Sequence, residues 1–64
     1  MQYQVRLDDG ESSVVVESLS ELGQAIDCYV LKILALSQPD VEIQIVQLIG
    51  EDDQYVLITS HIFV

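Results

Sequence analysis

Two stretches of the chain alternate apolar and polar residues, which is the pattern of β-strands that bury one face. They are residues 2–8 and residues 41–45. Their apolar positions are Tyr3, Val5 and Leu7 in the first stretch and Val41, Ile43 and Ile45 in the second. Both stretches are therefore predicted to be strands with one face toward a core.

Two further strands complete the predicted sheet. The β-branched residues 14–16 predict a second strand, joined to the first by a turn at residues 8–11, where Gly10 is able to adopt a positive φ. Residues 54–64 predict a long fourth strand after a turn at residues 50–53. The four strands would therefore form two hairpins, one at each end of the chain, joined by the segment between them.

The third and fourth strands depart from simple alternation. The apolar phase of the third strand slips at Val46, which predicts a β-bulge near Val46 and Gln47. The fourth strand is apolar on both parities, with Val56, Ile58, Ile62 and Val64 on one and Tyr55, Leu57 and Phe63 on the other. We expect one face of this strand to pack under a helix and the other to be covered by a partner or exposed.

A single helix is predicted between the hairpins, over residues 19–37. Residues 18–21, Ser-Leu-Ser-Glu, have the capping-box pattern, and Pro39 disfavours helical geometry in the residue before it. The apolar residues with helical spacing are Leu19, Leu22, Ile26, Tyr29, Val30, Ile33 and Leu36. Three other small or apolar residues fall outside this stripe and form a possible apolar interface: Cys28, Leu31 and Ala35.

These elements predict one α+β domain over residues 1–64, in the order β-β-α-β-β, with the helix packed on one face of a four-stranded antiparallel sheet. In this connectivity the turns at residues 8–11 and 51–53 lie at opposite ends of the sheet. Strands of about seven residues at about 3.3 Å per residue separate those turns by roughly 20–25 Å.

The charge of the chain is strongly negative. Its 64 residues include 11 Asp and Glu but only Arg6 and Lys32 as cations, for a net charge of −9. Such a surface repels nucleic acid and anionic membranes and attracts basic proteins, so we expect no direct binding to nucleic acid or membrane. Solubility is an equally good explanation of the charge. Without a secretory signal or a membrane-length apolar run, the expected location is the cytoplasm.

The carboxylates are predicted to gather at the two ends of the sheet. Asp8, Asp9, Glu11, Asp40 and Glu42 fall at one end, and Glu51, Asp52, Asp53, Glu17 and Glu21 at the other. Turns favour Asp for local reasons, so part of this clustering is structural. Three consecutive carboxylates at residues 51–53 exceed what turn geometry requires, and they suggest contact with a basic partner.

Catalytic and metal-binding patterns are missing from the sequence. His61 is the only histidine, and we expect it to be half-buried in a strand. Cys28 has Lys32 four residues away, which would lower its pKa slightly, but a small apolar helix residue is the better interpretation. One Cys and one His cannot complete a zinc site, and the acidic turns lack the spacing of a calcium loop. We therefore expect no enzyme activity, no metal and no cofactor.

In size and charge the chain resembles the small acidic inhibitors of phages and mobile elements, the anti-CRISPR and anti-restriction proteins that imitate DNA. The acidic turns at residues 8–11 and 51–53 carry this resemblance, which includes no motif. It implies a non-enzymatic inhibitor whose carboxylates occupy phosphate positions on a host nuclease or effector complex, in the host cytoplasm. The alternative is an acidic homodimeric adaptor or assembly factor that binds through an apolar face. Charge mimicry should weaken steeply with ionic strength, whereas an apolar interface should not.

Overall fold

One helix packs on a four-stranded antiparallel sheet, so the predicted α+β fold and element order are confirmed. The structure is a computed structural model that describes residues 2–35, 40–50 and 54–62. Its elements are β1 (Gln2–Asp8), β2 (Ser13–Leu19), α1 (Leu22–Ala35), β3 (Glu42–Leu48) and β4 (Tyr55–Ile62).

The strand order in the sheet is β2-β1-β3-β4, which places β1 and β3 at the centre. Their pairing is regular, from Gln2 opposite Leu48 at one end to Asp8 opposite Glu42 at the other. Since residues directly opposite each other share a face, the odd-numbered apolar residues of both strands face the helix together. The strict alternation in the sequence reflects this shared buried face.

The core is small and lies between α1 and the two central strands. Its fully buried members are Val5, Ala25, Ile43 and Ile45. Partly buried side chains complete it from the sheet and the helix: Tyr3, Leu7, Leu19, Cys28, Tyr29 and Ile33. A core of this size provides little stability by itself, as expected for a chain of 64 residues.

The helix begins three residues later than predicted, and the capping box at residues 18–21 is wrong. Ser18 belongs to β2, where it pairs with Gln4. The first helical hydrogen bond runs from the Ala25 amide to the Glu21 carbonyl, at 3.1 Å. Pairing with β1 holds residue 18 in the sheet, so its hydroxyl is not at a helix N-terminus. The predicted helix end at residue 37 lies outside the described residues.

The helix is also rotated relative to the predicted stripe. Ala25 is fully buried and Cys28 is half-buried against the core, although Cys28 was assigned to the solvent side. Ile26 and Val30 were assigned to the core, yet each is 45% exposed. The periodicity is compatible with both rotations, because apolar residues surround most of this helix. Tertiary packing selects the face with the small Ala25 side chain at its centre.

Each edge strand contains one extra residue. In β2 the extra residue is Val16, since Val5 pairs with Glu17 and Arg6 pairs with Val15. In β4 the extra residue is Ile58. The irregularity beside Val46 was predicted correctly, but β3 itself is regular against β1 and the bulge is in β4.

The bulge at Ile58 changes which residues of β4 share a face, so the predicted parities are wrong between Tyr55 and Ile62; the predicted positions of Phe63 and Val64 lie outside the described residues. By their pairing with β3, Val56, Thr59 and His61 lie on the helix side, and Tyr55, Leu57, Ser60 and Ile62 on the other side. The helix packs mainly on β1, β2 and β3. All eight residues of β4 are exposed, so this strand does not lie under the helix and His61 is exposed rather than half-buried.

Candidate functional site

The structure brings the first set of carboxylates together at one end of the sheet, which we call the acidic end: Asp8, Asp9, Glu11, Asp40 and Glu42. Asp8 lies directly opposite Glu42 in the pairing of β1 with β3. The side chains of Asp8, Asp40 and Glu42 line one shallow pocket together with Gly10 and Ile62. Like charges directly opposite each other in a sheet are destabilising, so the fold tolerates an unfavourable arrangement here.

Two carboxylates of the acidic end stabilise the turn between β1 and β2. Asp8 Oδ1 accepts a hydrogen bond from the Gly10 amide at 2.8 Å. Asp9 Oδ1 accepts from the Glu11 and Ser12 amides, each at 2.9 Å. The hydrogen bonds from Ser12 and then Glu11 hold the pKa of the Asp9 carboxyl below its ordinary value. Gly10 completes the turn with φ of 92°.

Turn formation does not account for the other carboxylates. Glu42 is part of β3, where its carboxylate accepts a hydrogen bond from Gln44 Nε2. Asp40 is exposed immediately before β3, and its φ of 65° lies in the left-handed region that Asp adopts more readily than most residues. Glu11 is exposed in the turn. These three side chains add negative charge that the local backbone does not need.

The second predicted cluster is only partly described. Glu51, Asp52 and Asp53 lie outside the described residues, so their 20–25 Å separation from the acidic end stays a prediction. Glu17 was assigned to that end, but it pairs with Val5 at the middle of β1. The bulge in β2 shifts Glu17 by one position, from opposite Gln4 to opposite Val5, and so toward the middle of β1.

The predicted apolar residues Cys28, Leu31 and Ala35 come together in a groove between α1 and β2, the α1–β2 groove. Leu19 adds to its apolar lining, and Glu17, Gln24, Asp27 and Lys32 surround it. Leu31 is 65% exposed. Burial, followed by the nearby Glu17 carboxylate, raises the pKa of the Cys28 thiol, and Lys32 opposes them only in part. The predicted lowering of this pKa is therefore wrong.

A second apolar surface, which we call the β4 surface, lies at the other edge of the sheet. It comprises the exposed strand β4 and the exposed side chains of Leu22, Ile26 and Val30 on α1. The apolar pattern of the fourth strand predicted an exposed or covered face there, but the predicted stripe placed these helix residues in the core, so their part of the surface was missed. The available signal was the absence of any charged residue between Tyr55 and Ile62.

Within the described residues, no group of three or more His, Cys, Asp or Glu side chains is arranged to hold a metal ion. The same part of the chain contains no helix that is long and apolar enough to cross a membrane. No protein-family model, curated protein or solved structure matches the chain.

Proposed function

We propose that this protein is a non-enzymatic inhibitor that docks its acidic end into the basic groove of a nucleic-acid-binding protein. The observation that carries the proposal is the convergence of Asp8, Asp40 and Glu42 around one exposed pocket. Carboxylates in such a cluster resemble closely spaced phosphates in sign and density of charge. A groove that attracts nucleic acid attracts this surface for the same electrostatic reason.

The two cations of the chain support this proposal because each has a place away from the acidic end. The Arg6 guanidinium donates to Gln4 Oε1 and lies over the Tyr55 ring, 4.1 Å from its centroid. Lys32 lines the α1–β2 groove beside Glu17. The negative potential of the acidic end is therefore largely uncompensated. A net charge of −9 also exceeds the magnitude of about 2–8 that is usual for solubility in small domains.

The resemblance in size and charge to phage and mobile-element inhibitors suggests the class of target. In this proposal the partner is a nuclease or effector complex of a host defence system, and the protein acts in the host cytoplasm as a DNA mimic. It binds that complex in place of nucleic acid and does not itself bind DNA or RNA. Glu17 and the carboxylates at residues 51–53 would extend the contact beyond the acidic end.

Matched charge variants test the proposal on a partner captured from a lysate of the host cell. The test variant is Asp40→Asn with Glu42→Gln, since neither side chain supports the turn between β1 and β2. The control is Glu21→Gln with Asp27→Asn, which also removes two carboxylates and changes the net charge from −9 to −7. We expect the test variant to bind at least tenfold more weakly at low salt and the control variant less than threefold.

Competition with DNA and the dependence on salt complete this test. Duplex DNA should displace the protein from its partner, and affinity should fall steeply between about 50 and 200 mM salt. If DNA and this protein bind the partner together, or if both double variants bind equally across that range, the inhibitor proposal is wrong. In that case the charge serves solubility only.

A second candidate function is that of an acidic homodimeric adaptor. The observation that favours it is the exposure of apolar side chains: among the described residues, thirteen large hydrophobic residues are exposed and six hydrophobic residues are buried. Scattered exposed apolar residues are normal, but a contiguous apolar surface indicates an interface. Binding through such a surface would persist at high salt, which separates the adaptor from the inhibitor.

A further inference from the structure

The outer edge of β4 lacks the charges and the proline that usually protect edge strands, and its bulge at Ile58 is the one protective feature between Tyr55 and Ile62. Edge strands are usually protected by lysine, proline or inward-pointing charges, because their unpaired backbone groups are a template for another strand. Between Tyr55 and Ile62 there is no Asp, Glu, Lys, Arg or Pro. All eight residues of the strand are exposed, and five of them are large hydrophobic residues. The strand is therefore suited to pairing with another strand.

The exposed apolar side chains of α1 lie on the side of the helix that faces β4. Gln24, Leu31 and Ala35 line the α1–β2 groove, so their flank of the helix borders β2. At about 100° per residue, Leu22, Ile26 and Val30 lie on the opposite flank. They therefore lie toward the β3–β4 side of the sheet, where Val56 is on the same face of β4 as the helix and is 48% exposed.

We propose that β4 pairs antiparallel with β4 of a second copy of this chain, about a twofold axis perpendicular to the sheet. The pair forms one continuous sheet of eight strands with both helices on the same face. The flanks of the two helices that carry Leu22, Ile26 and Val30 then face each other across the paired β4 strands, without contact between the helices. This interface deepens the homodimeric candidate function and does not depend on the inhibitor proposal.

Charge selects a second copy as the occupant of this surface. A basic partner would be drawn to the acidic end, whereas an uncharged edge is best matched by another uncharged edge. Antiparallel pairing also places the two acidic ends at opposite corners of the dimer. With strands about 4.8 Å apart and about 23 Å long, those corners are roughly 30 Å apart, several Debye lengths at physiological salt. A parallel arrangement would bring the like charges side by side.

The symmetry of this contact limits assembly to two copies. An isologous interface uses the same surface on both copies, so the β4 edge of each is satisfied by the other. The remaining edge, β2, differs from β4 in containing a charged residue, Glu17, which discourages further pairing. The bulge at Ile58 is compatible with this dimer. If the twofold axis passes beside Ile58, residues 60–62 of one copy pair with residues 55–57 of the other, and the two residues of each pair lie on the same face of the sheet.

Sedimentation equilibrium over a range of protein concentrations tests the dimer with three single variants of equal charge change. Val56→Lys and Leu57→Lys place a cation on the two faces of the paired β4 strands, whereas the control Leu31→Lys places one in the α1–β2 groove. Each changes the net charge from −9 to −8, so general repulsion changes equally in all three. We expect a saturating dimer for the unmodified chain and for the control, and a dimer dissociation constant at least tenfold higher for the other two.

Hydrogen exchange on the unmodified chain provides a readout that does not depend on the folding of any variant. Amides of β4 should become more protected as protein concentration rises, whereas amides of β2 should not change. A chain that stays monomeric at millimolar concentration, a Leu31→Lys variant that loses the dimer, or assembly that continues past two copies would each overturn the proposal. The Asp40→Asn, Glu42→Gln variant should still dimerise, so a failed inhibitor test and a failed dimer test can be told apart.

Discussion

At the scale of single residues, the carboxylates of the acidic end fall into two groups. Asp8 and Asp9 accept backbone hydrogen bonds in the turn between β1 and β2. The side chains of Glu11, Asp40 and Glu42 accept no hydrogen bond from that turn in the described residues. Variants of Asp8 and Asp9 therefore test whether the turn depends on ionised carboxylates. The other three side chains form the proposed contact with a partner.

Asp9→Asn should reduce the pH dependence of stability. The Asp9 pKa is lowered in the folded protein, so its ionised form adds stability above the unfolded pKa of about 3.9, and this contribution is lost as pH falls through the folded pKa. The free energy of unfolding of the unmodified chain should therefore exceed that of Asp9→Asn at pH 6. The difference should shrink as pH is lowered toward 2. Urea unfolding at several pH values measures it, and a difference that grows in acid would contradict the assignment.

Cys28 should react slowly with thiol reagents, and its two charged neighbours should change the rate in opposite directions. Glu17 raises the Cys28 pKa and Lys32 lowers it. Glu17→Gln should therefore increase the thiolate fraction and the rate of reaction with a maleimide at pH 8, and Lys32→Gln should decrease both. Equal rates for the two variants would show that burial alone controls the thiol.

At the scale of elements, β3 is buried on both faces, although the helix covers only one. Ile43 and Ile45 face the helix, and Val46 faces the other way, yet all three are at most 1% exposed. On that second face Arg6 of β1 reaches across β3 to the Tyr55 ring of β4. Val46 lies on this face between Gln44, the β3 partner of Arg6, and Leu48, the β3 partner of Tyr55, so we attribute its burial to this bridge.

Arg6→Ala should destabilise the fold by about 1–2 kcal/mol. The variant loses a cation–π contact worth about 0.5–1 kcal/mol at an exposed site, together with the cover that the side chain provides to Val46. Arg6→Lys keeps the positive charge and most of the stem, so it should recover about half of the loss. Chemical unfolding measures both variants. Equal stability of Arg6→Ala and the unmodified chain would show that Val46 is buried without the bridge.

At the scale of the whole molecule, strong negative charge is combined with a small core. The molecule measures 33 × 25 × 15 Å and has a net charge of −9. Self-repulsion at such a charge destabilises the compact state. The six buried hydrophobic residues in the described part of the chain offset this repulsion only weakly. Association and salt should therefore both stabilise the fold.

Raising NaCl from about 20 to 500 mM should increase the free energy of unfolding, because the Debye length falls several-fold and self-repulsion is screened. Glu42→Gln should raise stability at low salt by about 0.2–1 kcal/mol, since it removes the like charge opposite Asp8. Its dependence on salt should be smaller than that of the unmodified chain. Thermal unfolding at two salt concentrations is sufficient. A Glu42→Gln variant that is less stable at low salt would contradict the repulsion between β1 and β3.

Features that depend on local periodicity and on chain connectivity could be predicted from the residues alone. Alternation from Tyr3 to Leu7 and from Val41 to Ile45 indicated the two central strands, because one face of each is buried under the helix. Connectivity then placed residues 8–11 and Glu42 at the same end of the sheet. The acidic end could therefore be predicted before the structure, except for the division of its carboxylates between turn formation and surface charge.

The placement of the ambiguous elements depends on tertiary packing. A helix that is apolar on most of its surface has several possible core faces, and packing around Ala25 left Cys28 half-buried and Ile26 exposed. Ser18 fits a helix cap locally, but its pairing with Gln4 placed it in β2. Arg6 and Tyr55, 49 residues apart in the chain, meet on the face of the sheet where Val46 is buried. Local pattern cannot specify such features, because they depend on which distant surfaces meet.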